Sequence, residues 1–442
     1  MKRRVTNLFG FNSSMRRVPY QFLLRYAGNV VRARLRRGPN RKLLPPMTAT
    51  LYVTTKCNFR CTYCDDGSGN LYPDIQINRL DTQQTIELLR ILRRAAPGLN
   101  ITGGEPTIRS DIDRLFEEID VLGFSPVTFN TNAYELDRHL TILRHIDFLV
   151  VSLDSIDEKR GDALINLPRR GQTDRVKRNL QLATAYREKY KLKFDFIINT
   201  VILPETIDDA WEVFGFCLDN DFYWTPMPYI IGKYPCPGLV DNPRWQDLIN
   251  EVVRAKANGA RVCGNVKALL TIRDFTRFEC YPTTHPTIYP RGDLHYPCLP
   301  LNKVAGNLLQ IRDYNETVKL GQQIHGPVPS CDSRCHIACH TESSTAISHP
   351  TEGAKELLRY LLRRSKQSFV LQRPQQQYRT LPPNFQELRQ SPSLPPDQVR
   401  QLRSDGMIEN DWSSKLRVKH LTSLSKLKES ELHQEVQVVR VK

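Results

Sequence analysis

Ala49-Thr50-Leu51-Tyr52-Val53-Thr54-Thr55 leads into Cys57-Asn58-Phe59-Arg60-Cys61-Thr62-Tyr63-Cys64: an apolar, β-branched run, then three thiols within eight residues. The first run reads as a strand. The cysteines, spaced C-x3-C-x2-C, then sit on the loop leaving the C-terminal end of that strand, where parallel α/β enzymes place their chemistry. A single cysteine is usually a small buried hydrophobe. Three on one short loop have nothing there to pack against. The alternatives are a metal, a disulfide or coincidence, and a metal accounts best for the spacing. Structural zinc takes four protein ligands, and cubane iron–sulfur clusters are normally held by four Cys. Three ligands leave one position open, which is the mark of a working metal site.

Outward from this loop, strand and helix patterns alternate from Met47 to about Pro235. Thr82 to Arg94 reads as a helix, with Ile86, Leu89 and Leu92 spaced for a buried face. Strands are expected at Leu99–Thr102, Val127–Asn132, Phe148–Asp154, Phe194–Leu203 and Phe222–Thr225. Helices are expected at Asp111–Leu122, Arg175–Tyr190 and Trp211–Asn220. The run Phe148–Asp154 is almost continuously apolar, as a parallel strand buried on both faces requires. Six strands span about 190 residues, short of the roughly 250 of a full eight-unit barrel. The expectation is an α/β fold, a partial (β/α)6 TIM-like barrel.

A second motif follows the second strand: Thr102-Gly103-Gly104-Glu105-Pro106. Two glycines let backbone approach a ligand closely, and Glu105 offers an anionic partner for an ammonium group. The motif should end at the same face as the cysteine loop.

These two motifs, in this order, resemble the radical SAM superfamily. The resemblance implies that Cys57, Cys61 and Cys64 hold a 4Fe-4S cluster, with S-adenosyl-L-methionine chelating the fourth iron. It implies that Gly103, Gly104 and Glu105 contact the methionine amino group. Asn132 and Ser152, at the ends of the next strands, become candidate contacts to the ribose or carboxylate, and Tyr63 is expected near the adenine. Asp154 also points to the site end as a candidate catalytic group, with a helix N-cap as its ordinary alternative. The implied chemistry is reductive cleavage of the cofactor to a deoxyadenosyl radical that abstracts hydrogen from a substrate. An electron donor such as a flavodoxin or ferredoxin is an implied partner.

Seven of the eleven cysteines lie from Cys236 onward. Cys280, Gly292, Cys298, the pair Gly306-Asn307, and Cys331, Cys335 and Cys339 resemble the SPASM or twitch auxiliary iron–sulfur extension. The sequence departs from that pattern: the Gly292–Cys298 gap is one residue longer, and the late group is C-x3-C-x3-C with no later Cys. Two fully ligated cubanes need eight thiolates, and five are in reach, so one auxiliary cluster is expected. Two incompletely ligated clusters, or zinc, use the same donors. His336 and His340 lie beside the late group and could ligate, but a solvated surface role is expected. Cys217 reads as core, and Cys236 and Cys263 are left unassigned.

The chain has 442 residues and a net charge of +16. Residues 1–64 hold 14 Lys or Arg and no acid, while the remainder is nearly balanced at 49 against 47. A basic arm therefore precedes an enzyme-like body. Phe22, Tyr26, Val30 and Ala33 share one helical face, with Arg25, Arg32 and Arg36 on another. That face suits an anionic membrane, an acidic partner or RNA, or a helix packed over the barrel mouth with a solvated charged side. Arg3-Arg4 and Arg16-Arg17 lack the apolar segment of an export signal. No run approaches the roughly 18 apolar residues of a membrane span. Clustered cysteines in a long chain point to a reducing compartment, so the expected location is the cytoplasm, with peripheral membrane association as the alternative.

The expected organisation is the arm (1–46), the barrel (47–235), a Cys-rich auxiliary domain (236–350) of weak helical periodicity, and a basic helix from Lys355 to Ser368 followed by a disordered tail (351–442 in all). The expected substrate is a peptide or protein side chain, with a lipid or isoprenoid, or RNA, as alternatives. A non-catalytic iron–sulfur or zinc scaffold is the rival from another class.

Overall fold

The six expected strands form in the computed structural model, which describes residues 19–64, 74, 75, 77–232, 234–326 and 335–361. Helix α1 (Tyr20–Leu35) precedes β1 (Thr48–Tyr52). Helix α2 (Thr82–Ala95) leads to β2 (Gly98–Thr102), and α3 (Ile112–Leu122) to β3 (Val127–Thr131). Two 3-10 turns, Leu136–Arg138 and Leu140–Arg144, stand in place of a helix before β4 (Phe148–Ser152). Helices α4 (Glu158–Ile165) and α5 (Gln172–Lys189) lead to β5 (Asp195–Ile202), and α6 (Ile207–Asp219) to β6 (Tyr223–Pro228). All six strands are parallel and neighbour one another in chain order.

Local chemistry sets these boundaries. Asp81 accepts from the Gln84 backbone N–H at 2.8 Å while the Gln84 side chain accepts from Asp81 N–H at 3.1 Å. This reciprocal cap satisfies two N-terminal donors of α2. Its Ile86, Leu89 and Leu92 are buried, as their spacing requires. Gly123, at φ 71°, closes α3 in the left-handed region. Along the strands burial alternates. Ala49, Leu51, Leu99, Ile101, Phe129 and Leu149 join the core shared with the helices. The intervening Asn100, Asn130, Val150, Ile197, Asn199 and Thr225 line a cavity of about 890 Å³ instead. A full barrel fills this space with layers of branched side chains; here it remains an open, partly polar lumen.

After β6 comes a short hairpin, β7 (Ile230–Ile231) with β8 (Tyr234–Pro235), then α7 (Pro243–Ala257) and α8 (Val266–Arg273). Strands β9 (Thr287–Ile288), β10 (Asp293–His295) and β11 (Val304–Asn307) follow, then α9 (Leu308–Ile311), α10 (Tyr314–His325), α11 (Ala338–Ser348) and α12 (Pro350–Leu361). Strand β9 pairs parallel with β1, Thr50 opposite Thr287 and Leu51 opposite Ile288, and β10 and β11 continue antiparallel. The Cys-rich segment therefore extends the barrel sheet past β1 to nine strands. It is also more helical than its weak periodicity suggests. Helix α12 ends within the expected Lys355–Ser368 helix, whose remainder, with the tail, lies outside the described residues.

Helix α1 packs on the N-terminal ends of the strands, not over the mouth where they end. Arg25 donates to Pro46 O and Ala95 O at 3.2 and 3.1 Å, and Asn29 donates to Pro45 O at 2.9 Å. Phe22, Tyr26 and Ala33 meet Leu44, Met47, Tyr281 and Ile347 in a small second core. The Tyr26 hydroxyl donates to Ala346 O of α11 at 3.0 Å. Among the described residues no helix is long and apolar enough to cross a membrane.

Candidate active site

Cys57, Cys61 and Cys64 all line the lumen, on the loop that leaves β1. The loop is fixed from two sides. Arg60 and Thr62 N–H donate to Ile165 O and Leu164 O, both at 3.1 Å, so the end of α4 carries the loop's far edge. Buried Phe59 stands edge-on to Tyr134, with ring centres 5.5 Å apart. The Asn132 amide donates to Asn58 Oδ1 at 2.7 Å and lies 3.9 Å from Cys57 Sγ. Asn132 thus grips the cysteine loop directly, and its own Oδ1 accepts from Tyr134 N–H.

Gly103 and Gly104 also line the lumen. A Cβ on Gly104 would stand 2.1 Å from Lys56 O, and one on Gly103 2.5 Å from Thr54 O. Glycine is needed here so that the turn can lie against the backbone entering the cysteine loop. Gly104 and Glu105 N–H complete that contact, donating to Thr54 O and Lys56 O at 2.8 Å. Glu105 is buried. Its Oε1 accepts from Thr107 N–H, Thr107 Oγ1 and Thr131 Oγ1, and its Oε2 from Asn132 N–H at 2.6 Å. Oε2 keeps capacity for one further donor. Burial pushes Glu105 upward, and these hydrogen bonds draw it back.

Ser152, at the end of β4, opens onto the lumen. Tyr63 donates its hydroxyl to Asp154 Oδ2, while Asp154 Oδ1 accepts from Val201 N–H at 2.8 Å. Burial pushes Asp154 up to about 6. Asp154 does not cap a helix; Asp157 caps α4 through Arg160 N–H at 2.8 Å. All the residues expected at the cofactor site therefore face one lumen.

The thiols suit a cluster. Burial and then Glu105 push Cys57 up to about 12, and burial and then Cys64 push Cys61 well up. Metal binding would hold them as thiolates and release protons. Among the described residues no three His, Cys, Asp or Glu side chains gather closely enough to hold a single metal ion. A cubane spreads its thiolates over separate irons, so its ligands stand farther apart than those of one ion.

Of the second group of cysteines, Cys339 lines the same lumen. Cys280, Cys298 and Cys335 are buried, and Cys339 opens α11; Cys331 lies outside the described residues. Tyr281 N–H donates to Ser344 Oγ at 3.0 Å, which places the Cys280 segment against α11. Cys298 sits on the connection from β10 to β11. His336 and His340 are buried, not on the surface. His336 packs edge-on to Phe275 at 5.3 Å, and His340 Nδ1 has no hydrogen-bond partner, an orphan that a metal group would satisfy. Cys217 is core, as expected.

Sequence reasoning missed a further group in the same lumen: Cys263, His285 and Glu342. Cys263 N–H donates to Trp224 O at 2.9 Å, beside the start of β6. Burial and then Glu342 push its thiol up to about 12. Burial pushes Glu342 up to about 7, partly offset by Lys256.

A family model, the Radical SAM superfamily, matches residues 51–217. The Caenorhabditis elegans molybdenum cofactor biosynthesis protein moc-5 is 35% identical over 147 residues, 32% of this chain and 23% of that protein. A GTP 3',8-cyclase from Synechocystis is 30% identical over 159 residues, 35% of this chain and 45% of that protein. The chain thus spans less than half the length of both relatives. Among solved structures, anSMEcpe with bound AdoMet is 14% identical, covers 72% of this chain and 98% of its own, and has a TM-score of 0.50. That likeness concerns the fold alone, a partial barrel with a parallel sheet. The cysteine loop, the Gly-Gly-Glu turn packed against it and the family match fall on the same segment: residues 51–217 are similar to the radical SAM superfamily.

Proposed function

We propose that the chain is a radical SAM enzyme that abstracts hydrogen from a substrate in the lumen, a peptide or protein side chain being the class that fits best. One observation carries the reading: the three loop cysteines and the Gly-Gly-Glu turn face the same cavity as the inward side chains of β2 to β6. When bound, the cluster and S-adenosyl-L-methionine supply a carbon-centred radical able to attack an unactivated C–H bond. The chain's part is to hold, orient and shield. Cys57, Cys61 and Cys64 would hold the cluster. The Gly103-Gly104 backbone and Glu105 Oε2 would receive the cofactor's amino group, and Ser152 its ribose or carboxylate. Tyr63, fixed by Asp154, forms a wall for the adenine. Cys280, Cys298, Cys331, Cys335 and Cys339 would hold an auxiliary cluster.

The name of the Synechocystis relative points to GTP. Among the described residues that line the lumen there is no Lys or Arg, the groups that phosphate recognition calls on. The same composition argues against RNA entering the lumen.

The test is anaerobic reconstitution, iron and zinc counting, then reduction with S-adenosyl-L-methionine. Deoxyadenosine is expected from the parent chain and not from Cys61→Ala. Equal yields from both, or none from fully loaded protein, would leave the scaffold reading in place.

A second reading concerns location. Tyr20, Leu24, Val31 and Leu35 are 75%, 74%, 53% and 73% exposed. At helical pitch they share a stripe about 60° wide, opposite the packed face of α1 and next to Arg32 and Arg34. An exposed apolar stripe edged by cations supports contact with an anionic membrane surface.

A further inference from the structure

Among the described residues the lumen is lined by four carboxyl groups, and three of them are already held by the chain. Glu105 accepts four hydrogen bonds from Thr107, Thr131 and Asn132. Asp154 accepts from Tyr63 and Val201. Glu356 takes Lys256 Nζ at 2.7 Å and also pairs with Arg359. The fourth, Glu342, makes no hydrogen bond or ion pair through its carboxylate to any described residue. Lys256, the nearest cation, is spent on Glu356 and on Val262 O at 2.7 Å, and it does not line the lumen.

The position of Glu342 is as telling as its lack of a partner. It lies on α11, whose Ala346 O accepts from Tyr26 and whose Ser343 Oγ is 3.3 Å from Thr284 Oγ1. Thr284 O in turn accepts from Met47 N–H, just ahead of β1. Helix α11 is thereby anchored at the N-terminal ends of the strands, and the cysteine loop leaves their C-terminal ends. Between the two, the lumen wall carries Val150, Ile197, Asn199 and Met227. The cavity thus has a radical-generating end, a mixed apolar and amide wall, and a carboxylate at the far end. Glu342 is half-buried and opens onto the lumen; a partly desolvated carboxylate without a partner is costly, and a cation bound opposite it offsets that cost.

We propose that the α11 end of the lumen is an ammonium subsite, in which Glu342 binds the cationic head of an aliphatic amine, such as a lysine-like side chain, while the alkyl part lies along the wall toward the cysteine loop. This rests on the lumen being the substrate site of the proposed function, and it narrows the substrate class. It also assigns Glu342 to recognition: it sets which group enters and leaves radical formation to the other end.

The probe is monodansylcadaverine, a primary amine on a five-carbon stem, titrated by fluorescence anisotropy into the full reconstituted chain. The uncharged N-pentyldansylamide is the comparison, and GTP the competitor. Saturable binding of the amine is expected, weakened at least about tenfold in Glu342→Gln, which keeps the volume and removes the charge. The neutral analogue should bind the parent and Glu342→Gln equally weakly, and GTP should not displace the amine. Should Glu342→Gln fold poorly by circular dichroism, Glu342→Asp and the charged-against-neutral comparison in the parent chain decide the matter. Equal affinity of the parent for charged and neutral probes, an amine affinity unchanged in Glu342→Gln, or stoichiometric displacement by GTP would overturn the subsite. Deoxyadenosine formation is scored separately: amine binding without it defeats the radical reading and leaves the subsite standing, and the converse result defeats only the subsite.

Discussion

The Asn132 side-chain amide donates to Asn58 Oδ1 at 2.7 Å, so the end of β3 holds the cysteine loop by a side-chain bridge. Replacing Asn132 by Ala removes that bridge and the contact with Cys57 Sγ. One such hydrogen bond contributes about 1 kcal/mol net, so the fold should survive. The loop should loosen, and iron should leave the reconstituted protein faster under a chelator. Measured iron-loss rates equal to those of the parent chain would contradict this role.

Gly104→Ala should do more damage than its size suggests. The new methyl would meet Lys56 O, a backbone atom that cannot swing aside. Overpacking of this kind costs about 1–3 kcal/mol, and the strain falls on the segment that enters the cysteine loop. The expected result is a lower urea midpoint together with reduced iron per chain after reconstitution. Gly123→Ala at the end of α3, where nothing lies within 4 Å of the new atom but φ is positive, should lower the midpoint while leaving iron loading intact.

Acid should weaken the cluster-free protein through its buried histidines. Burial and then His340 push His285 down to about 3, and burial pushes His295 and His340 down to about 4. Each is neutral in the folded chain, whereas the unfolded chain takes up a proton near pH 6.5. The unfolded state thus binds more protons below that pH, and stability falls as pH drops from about 6.5 toward 4, by up to about 1.4 kcal/mol per pH unit per histidine. Urea midpoints between pH 7.5 and 5 measure this, and His295→Phe, set against the Tyr289 ring, should flatten the slope by about one proton.

The exposed stripe of α1 predicts salt-sensitive binding to vesicles of equal parts phosphatidylglycerol and phosphatidylcholine. Leu24→Glu combined with Leu35→Glu should cut the pelleted fraction about fivefold or more, because both the apolar area and the charge match are lost. Neither side chain touches the packed face, so the melting temperature should hold. Equal pelleting of parent and variant would remove the membrane reading.

The barrel and the placement of the cysteine loop at its strand ends were legible because their signals are local. Strands such as Phe148–Ser152 are runs of β-branched and apolar residues, and the cysteine spacing fits on one loop. The far end was not legible, and α11 shows why. Its sequence, Ala338 to Ser348, is rich in Ser and Thr, with no apolar stripe to mark a buried helix. The helix nevertheless buries His340, Thr341, Ser343, Ser344 and Thr345. Its hydroxyls bond back along the helix, Ser343 to Cys339 O and Thr345 to Thr341 O, both at 2.7 Å. Internally satisfied hydroxyls can be buried without apolar neighbours in sequence. Read as polar, the segment suggested surface, and so His336 and His340 were misplaced and Glu342 passed over. Strands β9 to β11, of two to four residues each, are too short for any period to show.

The pairing of β1 with β9 bears on how the chain is made. Thr50 and Leu51 leave the ribosome long before Thr287 and Ile288, their partners on that edge. At roughly 5–20 residues per second the wait lasts roughly 10–50 s. Throughout it β1 can pair with β2 but presents an open edge on its other side, next to a loop of three thiols. An unpaired edge is a template for association with other chains. Nascent chains stalled before residue 288 should therefore be the form most in need of a chaperone, and cluster insertion is best placed after the sheet has closed on that side.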